Sequence, residues 1–457
     1  MNIFSFLSSL IFKKQKTAPA VSSAMQNAID SWLSLYMNGT AGGETTGTLR
    51  LPSSVAAEAA RLMLTESEIN VSCKYLNEYM QNFWNRFYCS AETALALGGQ
   101  AFKPYVSGDK IAVDIVRADR YVPTAFDSSG NITAAVFMER KKSGDRYYTR
   151  LESHSLDSTN NSYTVENKAY CSFSEEYLGK QCSLSDVSGW ENLPEIQTIA
   201  NVQKPLFAVF RVPSVSHTDP DSPLGASVYA DATELFSQAE RQWERLMWEF
   251  EGTELAIDAS QDLFRFSGRT PLKKLPRTFR RLFRRHDIQP NVKLSDVIQV
   301  FSPTIRDSSI YNGFNRILQR IEFSCGLAYG TLSDPQTVEK TAEEIRTSKQ
   351  RSFAQTVRIQ QSLQNALEHL LYAMEVYAVL YELPHEQNPE LTCSWGDSVL
   401  EDTEKTFQRR LQLAQAGYLK PEYVLEYEFG CSEEEALTMM PDKSMKSNAE
   451  KLFEGDI

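Results

Sequence analysis

The chain has 457 residues, a formal net charge of −12 at neutral pH and a hydrophobic fraction of 42%. This length exceeds what one hydrophobic core normally supports, so we expect more than one domain. The acidic balance argues against a generally basic nucleic-acid-binding protein. Seven scattered cysteines without a C-x-x-C pair favour free thiols in a reducing compartment. The apolar run near the N-terminus is too short to span a bilayer, so we expect no membrane partner.

Helical periodicity dominates the first hundred residues. Apolar residues recur at steps of three and four over residues 24–37, 53–64 and 75–97. A short strand is expected between the last two helices, at residues 68–73.

An antiparallel sheet is predicted from about residue 100 to residue 173. Alternating apolar and polar residues indicate strands at residues 101–106, 111–116, 132–139, 147–152 and 163–171. Turn-forming sequences lie at residues 107–109, 127–131, 143–145 and 157–161. Helices followed by such hairpins indicate a helix-rich α+β fold.

Two amphipathic helices, residues 227–250 and 307–325, are predicted on either side of a small basic module. Strands are expected in this module at residues 254–259 and 297–301. Between these strands, residues 265–285 contain no acidic residue and carry nine cations with phenylalanines interleaved: Arg265, Arg269, Lys273, Lys274, Arg277, Arg280, Arg281, Arg284 and Arg285. This composition suits a phosphate backbone or an acidic partner, and the alternative is a solvated face that balances acidic neighbours.

A helix of unusual length is predicted from Pro335 to about Tyr381, because this stretch contains no further proline or glycine. At ~1.5 Å per residue it would be on the order of 70 Å long. Asp334 is suited to cap its N-terminus. Its first half is polar, whereas its second half carries a dense apolar stripe: Leu363, Leu367, Leu370, Leu371, Met374 and Tyr377.

A loop with two glycines, residues 326–334, precedes the long helix and carries Leu327, Tyr329 and Leu332. These bulky side chains either pack locally or are presented by the loop. After the long helix, a strand is expected at residues 392–395, and helices at residues 402–416, 421–429 and 432–439.

No sequence motif of an enzyme is present. The chain lacks a phosphate-binding G-x-x-x-x-G-K-[ST] loop, a G-x-S-x-G elbow and a zinc-binding H-E-x-x-H helix. We therefore expect no catalytic activity, no cofactor and no metal. The alternatives are a monomeric α+β binding module and a metal-dependent nuclease, whose carboxylates would be assembled only in space.

Several short sequences occur along the chain in the same order as these predicted elements. They are residues 83–84 (FW), 95–105 (LALGGQAFKPY), 123–127 (PTAFD), 222–225 (SPLG), 248–252 (WEFEG), 326–331 (GLAYGT) and 339–345 (EKTAEEI). Together they make the chain resemble the portal proteins of tailed double-stranded DNA bacteriophages, in the branch typical of long-tailed phages of Gram-positive hosts. The resemblance covers nearly the whole chain.

The resemblance implies a ring of about twelve subunits at one vertex of the capsid. It divides the chain into a wing (residues 1–226), a stem helix (227–252), a clip (253–306), a second stem helix (307–325), a tunnel loop (326–334), a long helix returning to the wing (335–401), and a crown with the C-terminal tail (402–457). The implied location is the virion, after assembly in the host cytoplasm.

The resemblance also implies partners and sites. The partners are copies of the chain, double-stranded DNA passing through the ring, the terminase large subunit, head-completion or adaptor proteins, and the major capsid and scaffolding proteins. The residues expected along the DNA channel are Arg316, Arg320, Leu327, Tyr329, Thr331, Leu332 and Lys340. The residues expected to bind partners at the clip are Lys273, Lys274, Arg277, Arg280, Arg281, Arg284 and Arg285.

Overall fold

A computed structural model describes residues 20–39, 48–175, 177–254, 256–260, 283–286, 298–334, 342–396, 403–429 and 436–438. The chain divides into two compact units, Met1–Cys393 and Ser394–Ile457. Helices and sheets are mixed throughout the first unit, which confirms the α+β class.

Three helices and a short strand come first. In chain order they are α1 (Ser23–Asn38), α2 (Leu51–Leu64), β1 (Glu68–Val71) and α3 (Lys74–Leu97). The hydroxyl of Ser22 accepts a hydrogen bond from the amide of Met25 at 3.2 Å and so caps α1. All four elements lie within a few residues of their predicted bounds.

Nine further strands build two antiparallel sheets. They are β2 (Gly99–Ser107), β3 (Lys110–Arg117), β4 (Tyr121–Phe126), β5 (Ile132–Ser143), β6 (Arg146–Asp157), β7 (Ser162–Ser172), β8 (Lys180–Cys182), β9 (Ile196–Ala200) and β10 (Ala208–Arg211). One sheet has the order β10-β2-β3, and the other has the order β4-β5-β6-β7-β8 with β9 also paired to β7. The predicted hairpins are present, but β5, β6 and the short strands β4, β8, β9 and β10 extend the sheets beyond the prediction.

Gly98 and Gly225 bring together two of the stretches on which the resemblance rests. Gly98 ends α3 with φ 85°, a left-handed conformation that glycine adopts without strain. A Cβ atom added at Gly98 would lie 2.2 Å from the carbonyl oxygen of Gly225, and one added at Gly225 would lie 2.4 Å from that of Gly98. Only glycine permits this approach of the two backbones.

The described residues in the second half of the first unit form three helices and four strands. In chain order they are α4 (Thr233–Gly252), β11 (Ala256–Ser260), β12 (Phe283–His286), β13 (Ile298–Phe301), α5 (Asp307–Cys325), α6 (Ala342–Leu380) and β14 (Leu391–Ser394). The three strands between α4 and α5 form a sheet of order β12-β11-β13, and β14 pairs with β1.

Helix α4 begins at Thr233, so the prediction of helix from Ser227 was wrong over its first turns. The preceding segment is held by distant residues instead. The amide of Val228 donates to the carbonyl of Leu95 at 3.1 Å, and the buried Tyr229 hydroxyl donates to the carbonyl of Trp32 at 2.9 Å. These bonds fix the segment against α3 and α1 before the helix starts.

Helix α6 has 39 residues in the described part of the chain and is about 60 Å long at ~1.5 Å per residue. Residues 335–341, where the long helix was expected to begin, lie outside the described residues. The dense stripe of its second half is buried, as Leu363, Leu367, Leu370 and Met374 show. The Ser362 hydroxyl donates to the carbonyl of Arg211 on β10, so this half of α6 belongs to the core of the sheet region.

The second unit contains α7 (Thr403–Gln415) and α8 (Pro421–Phe429), both close to prediction. Of the expected helix at residues 432–439, only residues 436–438 are described. Among the helices that the structure describes, none combines the length and the apolar character needed to cross a membrane.

Candidate functional site

Helices α4 and α5 run antiparallel and pack directly on each other. Trp243 and Phe314 meet with their ring centroids 5.5 Å apart, and the Gln242 amide donates to the carbonyl of Ile310 at 3.3 Å. Glu249, near the end of α4, meets Arg306, just before the start of α5. The pair therefore forms a hairpin of helices, with the β12-β11-β13 sheet inserted at its tip.

The Glu249–Arg306 pair closes this hairpin. Glu249 is only 2% exposed, and its two carboxylate oxygens accept from the Arg306 Nε at 3.1 Å and Nη2 at 2.8 Å. The backbone amide of Arg306 adds a third bond at 3.1 Å. These hydrogen bonds lower the pKa of Glu249 and fix where the chain re-enters the helix pair.

The C-terminus of α5 determines the position of Leu327. Gly326 has φ 69°, and the amide of Leu327 donates to the carbonyl of Glu322 at 2.9 Å. This is a Schellman motif, in which the residue after the left-handed glycine packs back on the helix. Leu327 is accordingly 6% exposed. Leu327 thus packs locally in the single chain, which is one of the two possibilities that the sequence left open, and its expected place along a DNA channel stays a prediction.

A buried carboxylate, Glu322, holds the rest of the loop. Its Oε1 accepts from the amides of Leu332 at 2.6 Å, Ser333 at 2.8 Å and Gly330 at 3.2 Å. Its Oε2 accepts from the Ser333 hydroxyl at 2.8 Å. Glu322 has no exposed surface, so hydrogen bonds to the loop replace the water that it loses.

The end of the loop is tied to α5 as well. The amide of Asp334 donates to the Asn315 side chain at 2.8 Å, and the Tyr311 hydroxyl donates to the Asp334 carboxylate. The loop over residues 326–334 is therefore anchored at both ends and in its middle. Its shape is set by α5.

Only part of the loop faces outward. Tyr329 is 50% exposed, and Thr331 is also exposed, whereas Leu332 is half-buried. On α5, Arg316 and Arg320 lie one turn apart and are both exposed. Lys340, the remaining channel residue that the sequence suggested, lies outside the described residues.

The basic module is described only in its strands. Arg284 and Arg285 lie on β12, in parallel register with Asp258 and Ala259 of β11. β12 was not predicted, because its sequence reads as part of the basic run. The other five partner-binding candidates, Lys273, Lys274, Arg277, Arg280 and Arg281, lie outside the described residues.

A cluster of buried charged side chains lies between the two sheets of the first half. On β6, Arg150, Glu152 and His154 point to one face at successive alternate positions. Glu152 pairs with Lys103 of β2, with the Arg150 Nη2 at 3.1 Å and with the His154 Nε2 at 2.9 Å. The Tyr163 hydroxyl lies 2.6 Å from the His154 Nδ1.

The cations of this cluster also meet carboxylates at its edge, since the Lys103 Nζ lies 3.7 Å from Asp114 and the Arg150 Nη2 lies 2.8 Å from Glu139. Burial by itself would raise the pKa of Glu152, but Lys103, His154 and Arg150 hold that pKa well below its usual range. Burial lowers the pKa of His154, although Glu152 opposes this effect. A neutral His154 fits the geometry, since its Nε2 donates to Glu152 and its Nδ1 accepts from Tyr163. The arrangement ties β2 to β6. Among the described residues, no three His, Cys, Asp or Glu side chains are placed to hold a metal ion.

Glu322, Ser333 and Asn315 are the residues of this site that the sequence did not single out. Their partners are backbone groups, or side chains on a loop, and no spacing in the sequence marks such pairs. The glycines at positions 326 and 330 were the available signal, and they indicated a bend without indicating what holds it. A comparison with protein-family models and a comparison with curated protein sequences both found no match.

Proposed function

We propose that the protein is a subunit of a bacteriophage portal, a ring-shaped channel at one capsid vertex through which double-stranded DNA is packaged and ejected. The observation that carries the proposal is the order of the parts in space. A helix hairpin carries a small sheet at its tip, and its second helix leads through an anchored loop into a 39-residue helix. This order supports assigning these elements as the stem, clip, tunnel loop and long helix that the sequence resemblance implies.

The distribution of charge supports a conduit for a polyanion. The chain is acidic overall, while the exposed cations Arg316 and Arg320 lie on α5 and the longest basic run lies between α4 and α5. Each phosphate neutralised by Lys or Arg adds affinity that depends on salt. A channel lined throughout by cations would retain DNA, whereas a few cations on an acidic subunit permit sliding.

The anchored loop supplies the proposed DNA contact. Tyr329 and Thr331 are presented at its outer side, and Glu322 fixes them through the backbone behind them. A ring of such loops would surround DNA at one level of the channel. The basic module is proposed to dock the terminase large subunit during packaging and head-completion or adaptor proteins afterwards. The wing (residues 1–226) is proposed to contact the major capsid and scaffolding proteins.

The proposal demands a large closed ring. Light scattering on the purified full-length protein, combined with negative-stain imaging, tests this demand directly. The expected result is an annular particle with roughly twelve-fold mass or a closely related subunit number. A particle with the mass of one chain under all assembly conditions would contradict the proposal and favour a monomeric α+β binding module or a nuclease.

The role of the basic module is tested separately. Arg280→Glu combined with Arg284→Glu reverses two charges of the module and is expected to block DNA packaging while rings still form. Packaging at the wild-type level by this double variant would exclude the basic module as the docking surface.

A further inference from the structure

The outward face of α5 carries positive charge beside an aromatic ring. Arg316, Arg320 and Phe323 follow one another at steps of four and three residues, which places them on one side of the helix. All three are exposed. The opposite side, with Phe314, Leu318 and Ile321, is buried. This face therefore belongs to the surface of the subunit.

Two arginines from different helices meet on the Phe323 ring. The Arg320 Cζ lies 5.0 Å from the ring centroid, and the Cζ of Arg351, on α6, lies 3.8 Å from it. Phe323 remains 41% exposed between them. Arg351 also donates from Nη2 to the carbonyl of Phe323. We call Arg320, Phe323 and Arg351 the arginine clamp.

The two positive charges of the clamp have no carboxylate partner among the described residues. The nearest acidic residue along α5 is Glu322, and its oxygens are used by the loop. One further cation, Arg358, is exposed on α6 seven residues after Arg351, which places it on the same side of that helix. Positive charge is thus concentrated on one part of a chain whose formal net charge is −12.

The geometry favours an anion over any other ligand. Both guanidinium groups lie on one ring, so they are separated by roughly 9 Å or less, about one Debye length at physiological salt, and their fields add. Stacking on an aromatic face holds a guanidinium by its plane and leaves N–H donors free at its edge. Such donors match the oxygens of a phosphate group.

We propose that the arginine clamp binds the phosphate backbone of double-stranded DNA, with Arg320 and Arg351 as the contacts and Phe323 as the positioning residue. The choice of DNA as the polyanion rests on the proposed function. The site itself rests on the convergence, on one exposed ring, of two guanidinium groups that have no carboxylate partner among the described residues.

A purely structural role is the competing explanation. In that explanation the clamp serves only to join α5 to α6, because Arg351 bonds to the C-terminal end of α5, where a cation interacts favourably with the helix dipole. That role predicts a change in stability with unchanged DNA binding. The two explanations therefore differ in a measurable quantity.

The test measures binding of a short, fluorescently labelled DNA duplex to the full-length protein, by anisotropy, between ~50 and ~200 mM salt. Arg320→Gln with Arg351→Gln removes both charges. The matched control is Arg241→Gln with Arg245→Gln, which removes two exposed charges one turn apart on the neighbouring helix α4. Phe323→Leu keeps both charges and removes the ring. Thermal unfolding and light scattering of each variant report folding and ring formation.

The clamp variant is expected to bind DNA at least about tenfold more weakly than the control variant, and the slope of log affinity against log salt is expected to fall by about 1 or more. Phe323→Leu is expected to lose several-fold in affinity without a change in net charge. Equal binding by the clamp and control variants, or no DNA binding by the wild type at the lowest salt, overturns the inference. If wild-type rings form in either case, the proposed function is left standing. Absence of rings contradicts the proposed function whatever the clamp binds.

Discussion

Glu152 in the sheet region and Glu322 at the end of α5 are both removed from water, but their partners differ in kind. Glu152 is held by the side chains of Lys103, Arg150 and His154, which come from β2 and β6. Glu322 is held by backbone amides and one hydroxyl of the loop that follows its own helix. One carboxylate joins two sheets, and the other shapes a single loop.

This difference separates a fixed part of the fold from a part that is able to open. Removing the carboxylate of Glu152 would leave the buried Lys103 and Arg150 without their shared buried partner, with Asp114 and Glu139, both partly exposed, as the remaining counter-charges among the described residues. Of the loop residues whose amides bind Glu322, Gly330 is exposed and Leu332 is half-buried, so this part of the loop is able to turn to solvent if the carboxylate is lost. The buried ion pairs therefore hold the sheet region in one geometry. The loop, in contrast, is held to the rest of the fold by the hydrogen bonds at its anchors.

The largest effect is expected from Glu152→Ala. Breaking a buried ion pair by removing one partner costs about 3–5 kcal/mol, since the remaining charge stays buried. We expect the thermal unfolding midpoint to fall by roughly 5 °C or more. The measurement is differential scanning calorimetry of the full-length protein.

The control for this substitution is Glu166→Ala on the neighbouring strand β7. Glu166 pairs with Lys168 at 2.7 Å, and both side chains are partly exposed. Such pairs contribute about 0–1 kcal/mol. If Glu166→Ala and Glu152→Ala lowered the midpoint equally, the buried cluster would have no special role in joining the sheets.

A smaller and more local effect is expected from Glu322→Ala. An unsatisfied buried polar group costs about 1–3 kcal/mol, and the loop is able to avoid most of this cost by opening to water. Hydrogen exchange at the amides of Gly330, Leu332 and Ser333 should therefore accelerate, while exchange in β6 stays unchanged.

Glu322→Gln is the matched variant for this loop. Its side-chain carbonyl oxygen still accepts hydrogen bonds from the amides, so exchange is expected to lie between that of the wild type and that of Glu322→Ala. Unchanged exchange in Glu322→Ala would mean that Tyr311 and Asn315, which bind Asp334, are sufficient to hold the loop.

The same comparison shows what the sequence made predictable. Helix and hairpin positions follow from local periodicity and turn residues, and α8 was predicted at Pro421–Phe429 without error. The start of α4 was not predictable, because Val228 and Tyr229 are held by residues of α3 and α1. Their partners lie far away in the sequence.

The candidate sites show the same limit. Arg150, Glu152 and His154 alternate along β6, and alternating polar residues are typical of a solvent-facing side of a strand. Here that side is covered by Lys103 and the second sheet. Similarly, the glycines of the loop predicted a bend, but Leu327 is buried because the helix ends in a Schellman motif. The arginine clamp joins residues of two helices, and no spacing in the sequence connects Arg351 to Phe323.

The smallest effect on stability is expected from a change of pH. Its measurement separates the contribution of His154 from that of a second buried histidine. Burial lowers the pKa of His154 and also that of His369, whose Nε2 donates to the carbonyl of Pro205. Each histidine has an ordinary pKa of about 6.5 when the chain is unfolded. Below that pH the unfolded chain binds a proton that the folded chain does not bind, so stability falls as pH decreases from about 6.5.

Each such histidine contributes at most about 1.4 kcal/mol per pH unit within this window. Glu152 does not interfere, because its pKa is held well below the ordinary value and its contribution is lost only under more acidic conditions. Thermal unfolding between pH 7 and pH 5 should therefore show a falling midpoint, and the dependence should weaken in His154→Gln and, independently, in His369→Gln. A dependence that persists in full in His154→Gln would show that folding does not lower the pKa of His154.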